Sequence, residues 1–199
     1  MIRSFMFALR FALRFAFVAA ACGGSESAPS DQPAPDHRQG LVAFETVRTV
    51  LQHPRCQNCH PAGDAPLQGD DGHVHQQNVQ RGPEGRGMVG MACSTCHGLA
   101  NPSAKYGEHI PPGSPDGWRM PKPDEQLVFV GKSPSELCAQ LKDPKRNGGK
   151  DLAALRAHLD SPLVVWGWHP GFGRAPVSVP RDVFLAAWST WAAAGTPCP

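Results

Sequence analysis

Apolar residues recur at helical spacing in four stretches of the chain. Leu41, Phe44, Val47, Val50 and Leu51 share one face, which predicts a helix over 41–52. Ser133-Pro134-Ser135-Glu136 has the form of a capping box with Pro at the first helical position, so a second helix is expected over 134–143, turning Leu137, Cys138 and Leu141 inward and stopping before Pro144. A third, over 151–160, aligns Leu152, Leu155 and Leu159 and leaves His158 at the edge of the stripe. The last, over 181–194, would bury Val183, Phe184, Trp188 and Trp191 and end at Gly195. No stretch alternates as a strand would. The segment from Pro61 to Met91, full of Gly, Gln and Asp, reads as an ordered loop, and residues 22–40 read as a flexible tether. The expectation is a mainly α, loop-rich domain over 41–199.

Composition sharpens this picture. With 21 Gly, 21 Pro and only 8% aromatic residues in 199, the side chains alone make a thin core for one small domain. A large bound group would supply the missing buried surface.

Residues 1–21 carry Arg3, Arg10 and Arg14, no acid, and an apolar stretch from Phe15 to Ala21, which is the form of an export signal. Ala19-Ala20-Ala21 suits ordinary signal cleavage. Ala-Ala-Ala-Cys also resembles a bacterial lipobox, in which Cys22 is lipidated, and the tether that follows favours this second form. The expected location is the periplasmic side of the envelope, with membrane association only through a lipid at Cys22. The arginines leave no apolar run long enough to span a bilayer. Losing them takes the net charge from +2 to −1, so charge points to neither nucleic acid nor an anionic membrane surface.

The seven cysteines sort without remainder: Cys22, two C-x-x-C-H motifs at Cys56–His60 and Cys93–His97, and the pair Cys138 and Cys198. C-x-x-C-H is the attachment pattern of c-type haem. A helical turn sets two thiols along one porphyrin edge, where they capture its vinyl groups as thioethers, and the next residue brings an imidazole beneath the iron. Cys56, Cys59, Cys93 and Cys96 are therefore expected to bind two haems, with His60 and His97 as proximal iron ligands. A zinc ribbon would not need a histidine after both pairs, a thioredoxin-like pair would need a βαβ setting, and two disulfides would leave the histidines unexplained. Cys138 and Cys198 are expected to form a disulfide, which suits an exported chain.

Distal ligands must come from the remaining histidines or a methionine. His75 is preferred for one iron, from His73-Val74-His75 on the polar loop, and His158 for the other, from the edge of its helix stripe. His73, His169 and His53 are alternatives, as is Met120, which precedes Pro121 in a step often seen at methionine ligands. Trp118, Trp166 and Trp168 are read as core residues in preference to haem walls. Lys142, Lys145, Arg146 and Lys150 are read as a solvated helix end in preference to a docking patch.

With these motifs the chain resembles the dihaem c-type cytochromes. The runs His53–Pro61, Asn78–Gly82 and Leu141–Gly149 also resemble bacterial cytochrome proteins that bear the label of isoquinoline 1-oxidoreductase subunits. In that group a His-x-His step follows the first motif, a role the resemblance assigns to His73 and His75. No molybdopterin or iron–sulfur signature is present, so such an activity would belong to a partner. The resemblance implies electron transfer to a redox partner protein or within an exported dehydrogenase. A dihaem peroxidase-like enzyme or haem-based sensor, with one iron site open, is the alternative; the chain is short for the former and shows no acid/base constellation.

Overall fold

A computed structural model describes residues 34–199, and the signal segment and Cys22 lie outside the described residues. The described part is mainly α. It contains α1 (His37–Leu51), α2 (Pro54–Gln57), α3 (Pro134–Lys142), α4 (Leu152–His158), α5 (Pro162–Val165) and α6 (Arg181–Ala193). Two small antiparallel hairpins sit between α2 and α3, pairing β1 (Leu67–Gln68) with β2 (His73–Val74) and β3 (Gly87–Met88) with β4 (Met91–Ala92). No described helix is long and apolar enough to cross a membrane.

The first helix begins at His37, inside the expected tether. Asp36 and Gln39 form a capping box, each side chain bonding the other's backbone N–H at 2.8 Å, and this satisfies donors that would otherwise fray. Residues 37–40 thus belong to the folded part. Ala43, Phe44, Val47, Val50 and Leu51 are buried, and α1 packs chiefly on α6, where Phe44 meets Trp191 with ring centres 5.3 Å apart. At Gly40 a Cβ would come within 2.5 Å of Pro197 and 2.6 Å of Ala194, so α1 can lie this close to the end of α6 only with glycine there.

The capping box of α3 forms as expected, with Ser133 N–H donating to Glu136 at 2.9 Å. Leu137, Cys138 and Leu141 are buried, and Cys138 is bonded to Cys198 with their Cα atoms 5.5 Å apart. The disulfide ties α3 to the segment that follows α6. Buried Gln140 exchanges two hydrogen bonds with the Val128 backbone and holds the chain entering α3 against that helix.

Two expected core positions are exposed. Leu152 is 36% exposed because it sits at the first turn of a seven-residue helix, beyond the cover that Leu155 and Leu159 receive. Val183, at 48%, lies about 100° round α6 from Phe184 and so falls off the stripe that Phe184, Trp188 and Trp191 form. Trp118, Trp166 and Trp168 are partly buried, and of the three Trp168 packs against the core, whereas Trp118 and Trp166 lie outside it. Of the basic residues near α3, Lys142, Lys145 and Arg146 are exposed, as a solvated helix end requires, and Lys150 is half-buried. Lys142 donates to the Thr196 carbonyl at 3.0 Å, while Lys150 turns toward Glu125 at 3.4 Å.

Candidate functional site

Pro54 starts α2, and His53 caps it by accepting the Arg55 N–H on Nδ1 at 3.2 Å. The helix and the turn after it carry Cys56, Cys59 and His60 to the wall of a cavity of about 490 Å³. Its apolar lining comes from α1, α4, α5, α6 and the 3₁₀ turn Trp166–Trp168, including Val50, Leu51, Leu155, Trp168, Phe184 and Trp188. Arg55, Arg86, Arg119, Lys122 and Lys150 stand against the two carboxylates Glu84 and Glu125, an excess of positive charge that suits an anionic ligand with an apolar body. His158 and Met120 line the same cavity.

The His60 ring stacks on Phe129 at 4.1 Å, and its Nδ1 meets the Leu127 carbonyl at 2.8 Å. That bond makes Nδ1 the protonated nitrogen and leaves Nε2 able to bind a metal. Burial pushes the His60 pKa down to about 4; the Leu127 carbonyl opposes this, and nearby His158 adds to it. The ring is neutral at pH 7, the form that ligates metals. His158 is also held below its ordinary value, first by the protein packed around it and then by Lys150 and Arg119.

The second motif is shaped differently. Cys93–Thr95 form a single 3₁₀ turn, anchored by the Cys93 N–H on the Arg86 carbonyl at 2.9 Å, and Cys96 is exposed. His97 Nδ1 meets the Pro112 carbonyl at 2.8 Å, and His75 Nδ1 meets the Gln76 carbonyl at 2.7 Å. Both rings thus keep Nε2 for a metal. Their centres are 6.2 Å apart. Two imidazoles sharing one metal through bonds of about 2 Å would hold their centres about 6 Å apart, and this pair has that spacing. His97 is kept below its usual pKa by burial first, with Pro112 opposing and His75 adding. Trp118 packs on His97 at 4.8 Å, and Trp166 stands edge-on to Trp118 at 4.8 Å.

The remaining candidates stand apart from these pairs. His73 is exposed and bonded to Asp71 at 2.7 Å, and His169 is exposed at the end of a 3₁₀ turn. Among the described residues no group of three or more His, Cys, Asp or Glu side chains is placed to hold a metal ion by itself. A haem needs only two protein ligands, because its macrocycle supplies the other four nitrogens.

Burial pushes the Cys56 thiol up to about 12 and the Cys59 thiol to about 11, with neighbouring Cys93 adding to the latter. A redox dithiol is activated in the opposite direction, toward thiolate. Cys59 and Cys93, and with them the two motifs, therefore lie near each other in space.

Arg81 carries no role in the sequence reading. Its side chain is 2% exposed, donates to the Pro121 carbonyl at 2.6 Å and the Gly63 carbonyl at 2.8 Å, and pairs with Asp64 at 3.1 Å. It clamps the chain leaving His60 to the wall that contains Met120. No periodicity marks such a residue, since its partners are backbone carbonyls distant in sequence. Comparison with protein-family models, curated proteins and solved structures finds no match to this chain.

Proposed function

We propose that the chain is a dihaem c-type cytochrome that transfers electrons in the bacterial cell envelope. The observation that carries this reading is the pairing of His97 with His75 at the spacing of two axial ligands, each Nδ1 tied to a backbone carbonyl. In this reading Cys93 and Cys96 hold one haem by thioether bonds, between His97 and His75. Cys56 and Cys59 hold the other in the cavity, with His60 and His158 as ligands and Met120 as the alternative to His158. Haem supplies a one-electron couple between ferric and ferrous iron.

The chain's residues supply the rest. The carbonyls of Leu127 and Pro112 fix the tautomer and orientation of the proximal rings. The apolar cavity wall limits access by water, and Arg119, Lys122 and Lys150 offset the propionate charge. A second imidazole in place of methionine favours a lower potential. The Cys138–Cys198 disulfide supports an oxidising compartment, in line with export and with lipid anchoring at Cys22. The partner is a redox protein or a dehydrogenase subunit, as the likeness to isoquinoline 1-oxidoreductase subunits implies.

The test is the mass and visible spectrum of the mature protein made in a host competent for cytochrome c maturation. Two added macrocycles, both low-spin and silent to carbon monoxide when reduced, are expected. One haem that binds carbon monoxide points instead to the peroxidase-like or sensor alternative. A colourless protein of unmodified mass overturns the reading.

A further inference from the structure

Arg55 directly precedes Cys56, lines the first cavity, and has a side chain only 2% exposed. Its hydrogen bonds and ion pair lead away from its own motif. Nη2 donates to the Gly69 carbonyl at 2.8 Å and pairs with the Asp70 carboxylate, while Asn58, also of the first motif, donates to the same carbonyl at 3.0 Å. Gly69 and Asp70 lie in the turn between β1 and β2, and His75 follows β2 directly, with its N–H on the Pro66 carbonyl at 2.9 Å. The hairpin that carries His75 is therefore pinned at its turn by the first motif. On its other side the Arg55 guanidinium lies 5.9 Å from the centre of the Trp166 ring, and Trp166 backs Trp118, which packs on His97. The first motif thus braces both imidazoles of the second site, one through a hairpin and one through two indoles packed edge to face.

We propose that Arg55 is a positioning residue that makes the second iron site depend on the first motif, by fixing the β1–β2 hairpin so that His75 stands opposite His97. The inference rests on the dihaem reading. Removing the guanidinium takes one of the two donors from the Gly69 carbonyl and leaves Asp70 without its ion pair, so the turn of the hairpin is held by Asn58 and by the Ala175 N–H on Asp70 alone, although no iron ligand has changed.

The experiment uses the full holoprotein, with haem content measured on every sample. In Arg55→Gln the carbon-monoxide-reactive share of haem is expected to rise from near zero toward one half as His75 is displaced. Arg55→Lys should restore part of the native signal. Asp70→Asn, which alters a half-exposed carboxylate, should move it in the same direction by less, and it carries the test alone if Arg55→Gln does not accumulate. Added to His75→Ala, Arg55→Gln should open no further haem, because both act on one site. Native spectra in both Arg55→Gln and Asp70→Asn overturn the proposal. So does a second reactive haem in the double variant, which would locate the effect at His158. A wild-type protein without two haems overturns the dihaem reading itself, before any variant is made.

Discussion

His75 and His158 enter their sites by different routes, and this sets what each substitution should do. His75 rides on a hairpin and stands 6.2 Å from His97, whereas His158 closes a short helix and shares a cavity with His60. His75→Ala and His158→Ala should each convert one of the two haems to a carbon-monoxide-binding form and raise its potential, while Met120→Leu should leave both spectra unchanged; carbon monoxide titration with redox potentiometry checks all three. If Met120→Leu opens a haem, Met120 is the ligand in the cavity. The C-x-x-C-H residues stand out by their spacing, the spacing that the proposed thioether attachment requires. Between His73 and His75 the sequence reading preferred His75; the hydrogen bonds of the two rings, His73 to Asp71 and His75 to the Gln76 carbonyl, had no local signature. Arg55 and Arg81 were hidden for a related reason: a buried arginine that serves distant carbonyls leaves no local pattern.

Helices show how far local chemistry predicts position. The α3 box was readable because both partners lie within four residues. Its strength should follow pH. The Ser133 backbone N–H, then its hydroxyl, then Lys132 hold the Glu136 carboxyl at about 2, well below its ordinary 4.5. The folded state therefore favours the ionised form, and the stabilisation is complete above pH 4.5 and is lost as pH falls toward 2. Glu136→Ala should lower stability at neutral pH, and the gap from wild type should narrow in that acid window, as followed by denaturant unfolding. The Asp36–Gln39 box at α1 carried a similar signal, but the tether reading of the surrounding Pro-rich run absorbed it. The close approach at Gly40 had no local signature at all, because Ala194 and Pro197 reach it only through the fold. Gly40→Ala should cost about 1–3 kcal/mol by overpacking, measured as a shift in the urea midpoint.

At the scale of the whole molecule, a cavity of about 490 Å³ lies in a small domain. Without a bound group its apolar wall faces water, at a cost of about 25 cal/mol for each Å² left exposed. A chain with all four motif cysteines changed to alanine should retain much of its helical far-ultraviolet signal but lose its cooperative thermal transition, as circular dichroism and calorimetry would register. The disulfide closes a loop with a sequence separation of 60 residues; replacing Cys138 and Cys198 together with serine should cost about 4 kcal/mol in the denaturant midpoint. The mainly α class followed from periodicity. The long middle segment did not resolve further, because its order comes from tight turns and single side-chain clamps.

Pairing α1 with α6 also sets a timetable. Both C-x-x-C-H motifs lie between these helices in the chain, so a nascent polypeptide presents its four thiols before the second half of the clasp has emerged. On the dihaem proposal, porphyrin ligation would proceed on an open chain, before the clasp closes beside the first motif.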